Sequence, residues 1–229
     1  MNSDLKKCLN CEAISGACKN LSEKELIHLA SACISTTVKK GDTLFREGNV
    51  AVYIAYIKTG LVKETMSGPG GKDQIFRVLK TSSYIGMTSL LGNKVYHYTY
   101  TALTDLSVCY IEQETFIDLM RLNGEFSLTI MKSLCHDHLI ASYKLVNQSQ
   151  KKIYGKVADA ILYFSDFIFE KKSFELPLSR KEIANLIGTS RESVIRTLHA
   201  FQKDGIIEFK NNKFKILKYK QLQNISKNG

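Results

Sequence analysis

Between Leu178 and Ile207 the chain reads LSRKEIANLIGTSRESVIRTLHAFQKDGII. Two guanidinium groups, Arg191 and Arg196, lie about one and a half helical turns apart with the carboxylate of Glu192 between them. A guanidinium matches O6 and N7 of guanine with two donors, and a carboxylate accepts from N4 of cytosine. Ser179, Arg180, Ser190 and Ser193 carry groups suited to phosphate oxygens, helped by helix N-termini. That is the chemistry of reading base edges while gripping a backbone, provided that one helical end presents these groups together.

The apolar spacing supplies such an end. Ile183, Leu186 and Ile187 form one inward face, and Val194, Leu198 and Phe201 form another. Gly188-Thr189 joins the two segments, glycine taking a turn conformation that a Cβ disfavours, and Ser190 caps the second helix. The result is a helix-turn-helix in which Arg191, Glu192, Ser193 and Arg196 face outward near the start of the second helix. That end of a recognition helix enters the major groove. Two strand-like runs, IIEFK and KFKILKY, follow around Asn211-Asn212, a good tight-hairpin pair, and would form a basic wing. Charge agrees. The chain carries +10, and residues 173–229 hold eleven Lys or Arg against five Asp or Glu, so a quarter of the length carries over half of the excess. Such a balance favours a polyanionic partner.

A second constellation is thiol-based. CLNCEAISGAC places Cys8, Cys11 and Cys18 close together, and Cys109 follows in LSVCYI. In a cytosolic protein such spacing points to metal or redox chemistry more than to disulfides. Cys33 and Cys135 fall on helical apolar patterns and are expected in the core.

The elements that must position these groups are legible as a change of texture. LSEKELIHLASACIS, residues 21–35, reads as a helix with a Ser22/Glu25 capping box. From Thr37 to Ile111, short β-branched and aromatic runs alternate with Gly, Asn, Asp or Pro, as in an antiparallel barrel or jelly roll, with SGPGGKD as a hairpin loop. TFIDLMRL is a short helix. Phe126 to Gln150 then lacks Gly and Pro, and Ile130, Met131, Leu134, His138, Ala141 and Leu145 make a narrow stripe. The stripe persists for about seven turns. Pairing with a symmetric copy explains this better than a helix lying on its own barrel. Protonating His138 beside its mate would oppose that pairing. The fold class is α+β. The expected parts are a cysteine-bearing segment (1–20), a β-roll domain (21–125), a dimerisation helix (126–150) and a winged helix-turn-helix (151–229).

No run approaches the roughly 18 apolar residues of a membrane span, and MNSDLKKCLNC lacks the apolar core of a secretory signal, so a cytoplasmic protein without a membrane partner is expected. No nucleophile-elbow, zinc-protease, P-loop or dinucleotide pattern occurs, and no enzyme is expected.

Residues 178–207 resemble the winged helix of the CRP/FNR family of bacterial transcription regulators, RESVIR matching its Arg-Glu-x-x-x-Arg pattern. The resemblance extends over almost the whole chain. KKGDTLFREGN and SYIGMTSLLGN are similar to the first and middle turns of the family's cyclic-nucleotide-binding-type double-stranded β-helix, and the long helix to its dimerisation helix. The resemblance implies a homodimer on palindromic duplex DNA, a half-site containing GTGA because Arg191 and Ile195 depart from the FNR-branch pattern, and RNA polymerase as a partner. In the family's catabolite-activator branch, cyclic AMP is held at positions that here are Met87, Tyr96-His97 and Ala141-Ser142, of which only Ser142 matches. Cyclic AMP is therefore not the expected effector. Cys8, Cys11, Cys18 and Cys109 resemble the [4Fe–4S] ligands of the oxygen-sensing FNR branch, with one extra residue before Cys18. A zinc site on the same thiols, haem on His97, His136 or His138, and no cofactor at all stay open beside the cluster.

Overall fold

The computed structural model describes residue 11 and residues 13–229. The chain divides into two compact units: one ends at Ser67 and resumes over Val78–Leu139, and the other comprises Gly68–Arg77 and Ile140–Gly229. The sequence had placed its cuts at 125 and 150, so the segment 68–77 and the C-terminal part of the long helix group otherwise than expected.

In the first unit, a helix runs over Glu23–Ser31 behind the expected capping box: the Ser22 backbone N–H donates to Glu25 Oε2 at 2.7 Å and Ser22 Oγ accepts from the Glu25 backbone N–H at 3.4 Å. It stops short of Ser35. The run Cys33–Val38, rich in β-branched residues, forms strand β1 instead, because it finds a partner strand. The strands that follow are β2 (Thr43–Phe45), β3 (Tyr53–Thr59), β4 (Val62–Ser67), β5 (Asp73–Leu79, divided between the units after Arg77), β6 (Tyr84–Ile85), β7 (Thr99–Ala102) and β8 (Leu106–Glu112). Their orders, β1-β8-β3-β6 and β2-β7-β4-β5, are those of a two-sheet roll. β3 explains its own unbroken apolar run. Ile54 and Tyr56 face one cluster while Ala55 and Ile57 face the other, so both sides of the strand are buried. β8 does the same: Val108 joins Ile57, and Cys109 and Ile111 join Tyr56. SGPGGKD turns between β4 and β5 as expected, with Gly70 at φ 72°. The stretch after Gly86, in the expected middle turn, forms a five-residue helix, Met87–Leu91.

The long helix spans Gly124–Gln150. It differs from expectation in which face it exposes. Ile130, assigned to the pairing seam, is 1% exposed in the core cluster of its own roll, beside Phe126, and Leu134 packs against the same cluster. Met131, His138, Ala141 and Leu145 are exposed. Cys135, expected in the core, is exposed too, whereas Cys33 packs partly against the core. The helix has two apolar faces, and sequence periodicity merged them. Among the described residues no helix is long and apolar enough to cross a membrane.

The second unit contains the helices Ile153–Leu162, Arg180–Ile187, Arg191–Lys203 and Tyr219–Asn228. The strands β9 (Ser173–Glu175), β10 (Ile207–Lys210) and β11 (Lys213–Ile216) form a sheet in the order β10-β11-β9. Asn211 takes φ 54° in the β10–β11 turn, the left-handed geometry that Asn tolerates. β9 and the last helix were not foreseen. Val157, Ile161, Phe164, Ile183, Leu198, Phe201 and Phe214 are buried in this unit.

Candidate nucleic-acid interface and sensor site

A second capping box starts the helix Arg180–Ile187: Ser179 Oγ accepts from the Glu182 backbone N–H at 3.2 Å, and Glu182 Oε2 accepts from the Ser179 backbone N–H at 2.9 Å. Gly188 ends it at φ 65°, ψ 51°, a left-handed cap that glycine adopts without strain. Two residues on, Ser190 Oγ accepts from the Ser193 backbone N–H at 3.2 Å and opens the helix Arg191–Lys203. Val194, Thr197, Leu198 and Phe201 are buried and fix the rotation of this helix. Arg191, Glu192 and Arg196 are left exposed on the opposite face, and Ser193 is half-buried beside its cap. The trio therefore leaves one helical end together, as its spacing implied. Ser179 and Ser190 are exposed at helix N-termini, where hydroxyl and backbone donors face outward.

Arg180 departs from its expected phosphate role. Its guanidinium lies over Phe214 at 4.9 Å and Phe209 at 5.4 Å, and it donates to the Asn211 carbonyl. One terminal nitrogen is buried without a hydrogen-bond partner, and desolvation lowers the pKa of the group. Arg180 thus fastens the first helix to the wing. Replacing it with Met should lower the unfolding midpoint of the second unit by the equivalent of about 1 kcal/mol while leaving the salt dependence of duplex binding unchanged. A denaturation curve and a salt titration on the same sample check both.

The sequence reading missed the wing tip in detail. Lys210 and Lys213 are exposed on either side of the Asn211-Asn212 turn, and Lys215 follows on the same strand. Alternation in KFKI was the available signal: Phe214 and Ile216 are buried while Lys213 and Lys215 are exposed.

In the first unit, Cys18 is 6% exposed, its Sγ 3.3 Å from Tyr84 Oη, which in turn lies 2.6 Å from Ser15 Oγ. Burial pushes the Cys18 thiol up, opposed by its hydrogen bonds to Ser15 and Tyr84 and reinforced by the nearby Cys109 and Cys11. Burial also raises Tyr56, opposed in part by the nearby Ser82. The Tyr56 hydroxyl lies inside the core without a partner in good hydrogen-bonding geometry, and within electrostatic reach of the same three sulfurs. Cys8 lies outside the described residues. Among the described residues, no three His, Cys, Asp or Glu side chains are gathered closely enough to hold a metal, so Cys11, Cys18 and Cys109 are neighbours without being a formed site. His97, a haem candidate, hydrogen-bonds Asn93 Oδ1 at 2.8 Å through Nε2, and His136 and His138 are exposed.

At the middle turn, Gly86 takes φ 86° and Met87 is 4% exposed. Tyr96 stacks on Phe45, with centroids 4.3 Å apart and planes 11° from parallel. Its hydroxyl donates to the Tyr53 carbonyl at 2.7 Å and accepts from the Tyr53 N–H at 3.2 Å.

Comparison with known proteins agrees with both units. Residues 35–123 match the family model of the cyclic nucleotide-binding domain, and residues 155–225 that of the Crp-like helix-turn-helix domain. The transcriptional activator protein FnrA of Stutzerimonas stutzeri is 28% identical over 79% of this chain and 75% of its own length. The fumarate and nitrate reduction regulatory protein of Vibrio cholerae is 26% identical over 96% of this chain and 90% of its own. Among solved structures, FixK2 from Bradyrhizobium japonicum shares the fold with a TM-score of 0.78 at 19% identity, covering 84% of this chain and 96% of that one. A cyclic-nucleotide-binding-type roll and a Crp-like helix-turn-helix, matched in that order on either side of the long helix, give this chain the two domains of the CRP/FNR transcription regulators to which it is similar.

Proposed function

We propose that this regulator reads a palindromic duplex by inserting the first turns of the helix Arg191–Lys203 into the major groove. Arg191 and Arg196 would each take a guanine, Glu192 a cytosine amine, and Ser179, Ser190 and Ser193 the flanking phosphates. The observation that carries this reading is the joint exposure of Arg191, Glu192 and Arg196 on one helical end, with their rotation fixed by Val194 and Phe201. Selecting bound duplexes from a random pool tests it. A half-site containing GTGA is expected, and a pool that stays random after selection would refute specific reading. The protein acts as a homodimer in this account, and RNA polymerase is the partner that would turn binding into regulation.

Cyclic AMP is not the effector in this reading. Tyr96 holds the position where the family's phosphate-binding Arg would stand, and its ring and hydroxyl are already committed to Phe45 and Tyr53. A buried cyclic phosphate would lack its guanidinium partner there.

A second reading gives the sensor unit a [4Fe–4S] cluster, which supplies oxygen- or redox-sensitive chemistry when bound. What favours it is the burial of Cys18 and Cys109 in one core cluster, although 91 residues separate them in the sequence. These two with Cys8 and Cys11 would be the thiolate donors, and Cys18 would have to exchange its contact with Tyr84 for the metal. Protein purified without oxygen should carry iron and sulfide in equal amounts and lose both on Cys18→Ser. Iron-free protein, even after reconstitution, would exclude the cluster.

A further inference from the structure

The face that the long helix leaves exposed carries more than apolar contacts. Leu128, Met131, Cys135, His138, Ser142 and Leu145 follow one another at alternating steps of three and four, the spacing of a heptad seam. Leu128 is 43% exposed, Met131 58% and Leu145 69%, and Cys135, His138 and Ser142 are exposed between them. In a parallel pair about a two-fold axis, each seam position meets its own copy. The homodimer is that of the function proposed above, and the site inferred here rests on it.

Cys135 and His138 are three residues apart, so they lie on the same face of one helix with Cβ atoms about 5–6 Å apart. A partner helix in register brings the same two residues to the same level of the seam. Two thiols and two imidazoles then surround one point on the axis. These groups would meet between the Met131 and Ser142 layers of the seam. Coordination by one cation engages all four donors at once. Two thiolates and two neutral imidazoles are the complement of a tetrahedral zinc centre, with Met131 as the next layer on one side and Ser142, then Leu145, on the other.

We propose that two copies of this chain bind one zinc-class divalent cation on their two-fold axis, through Cys135 and His138 of each subunit. Among the described residues neither chain alone holds such a group, so the site exists only in the dimer. Binding releases the two thiol protons to solvent and forms two sulfur–metal and two nitrogen–metal bonds, with no change of oxidation state. Because the cation binds only the assembled pair, it tightens dimerisation. Zinc at ten times its dissociation constant should lower the dimer dissociation constant about tenfold.

The test uses the full-length reduced protein, stripped of metal and then loaded with Zn²⁺ or with Co²⁺, whose visible spectrum reports tetrahedral thiolate coordination. Cys135→Ser and His138→Ala should each remove half a metal equivalent per chain and the zinc-dependent tightening seen by sedimentation. Cys11→Ser, which disables the N-terminal thiol set, should leave both in place. Equal metal content in the parent and Cys135→Ser would overturn the proposal. So would a Cys135–Cys135 disulfide without metal, seen by mass analysis under non-reducing conditions. A chain that stays monomeric with and without zinc would instead refute the dimer on which the site depends. Because these side chains are exposed in the single chain, the variants should fold normally, which their unchanged melting as metal-free protein verifies.

Discussion

Phe201→Ala should unfold the DNA-binding unit under conditions where the rest of the chain stays folded. Phe201 is fully buried on the helix Arg191–Lys203, and its ring meets Tyr154 edge-on at 5.5 Å and 77°. Truncating a buried Phe costs about 3–5 kcal/mol, through lost transfer free energy and the cavity left behind. That is a large share of the roughly 5–15 kcal/mol that holds a domain together. Specific and non-specific duplex binding should therefore disappear together, and the early denaturant transition should move to a lower midpoint. Retained binding with an unchanged midpoint would mean that this helix is not held by the packing described.

Arg196→Ala should behave in the opposite way. The side chain is exposed and outside the core, so folding should not change. Binding to the selected duplex should weaken by about 1–3 kcal/mol, roughly 5- to 150-fold, with selectivity relaxed at one base pair per half-site. Lys213→Ala, at the wing tip, should instead weaken all sequences alike and reduce the salt slope by about one. Competition binding against duplexes altered at single positions distinguishes the two patterns. Uniform loss for Arg196→Ala would reassign that guanidinium to a phosphate.

Much of this architecture could be read from residue types because local chemistry and tertiary structure agree. Ser22 with Glu25 announced a helix start, Gly188 a turn, and Asn211-Asn212 a hairpin, and each is realised; the box of Ser179 with Glu182 was as local a signal and went unread. The recognition face followed from Val194, Leu198 and Phe201 alone, since burying one side of a helix dictates the other. Where reading failed, two physical demands competed for the same residues. Ile130 and Leu134 belong to the face that lies on the roll, and Met131 and His138 to the outward one. A helix apolar on two sides gives a blurred period. Arg180 looked like a phosphate contact because its charge was visible, while its aromatic partners Phe209 and Phe214 are about thirty residues away. β9 has three residues and is defined by pairing with β11, which no local pattern records. The thiol set illustrates a different gap. Spacing names the donors, but whether they converge depends on the backbone, and here Cys18 turns toward Tyr84.

The measurement closest to the centre of the account compares the selected duplex with a scrambled one at near-physiological salt, using the unaltered protein. Groove reading by Arg191, Glu192 and Arg196 predicts at least about a thousandfold preference for the selected sequence, with both affinities falling steeply as salt rises. Equal affinity for the two would show that this helix grips the backbone and reads nothing.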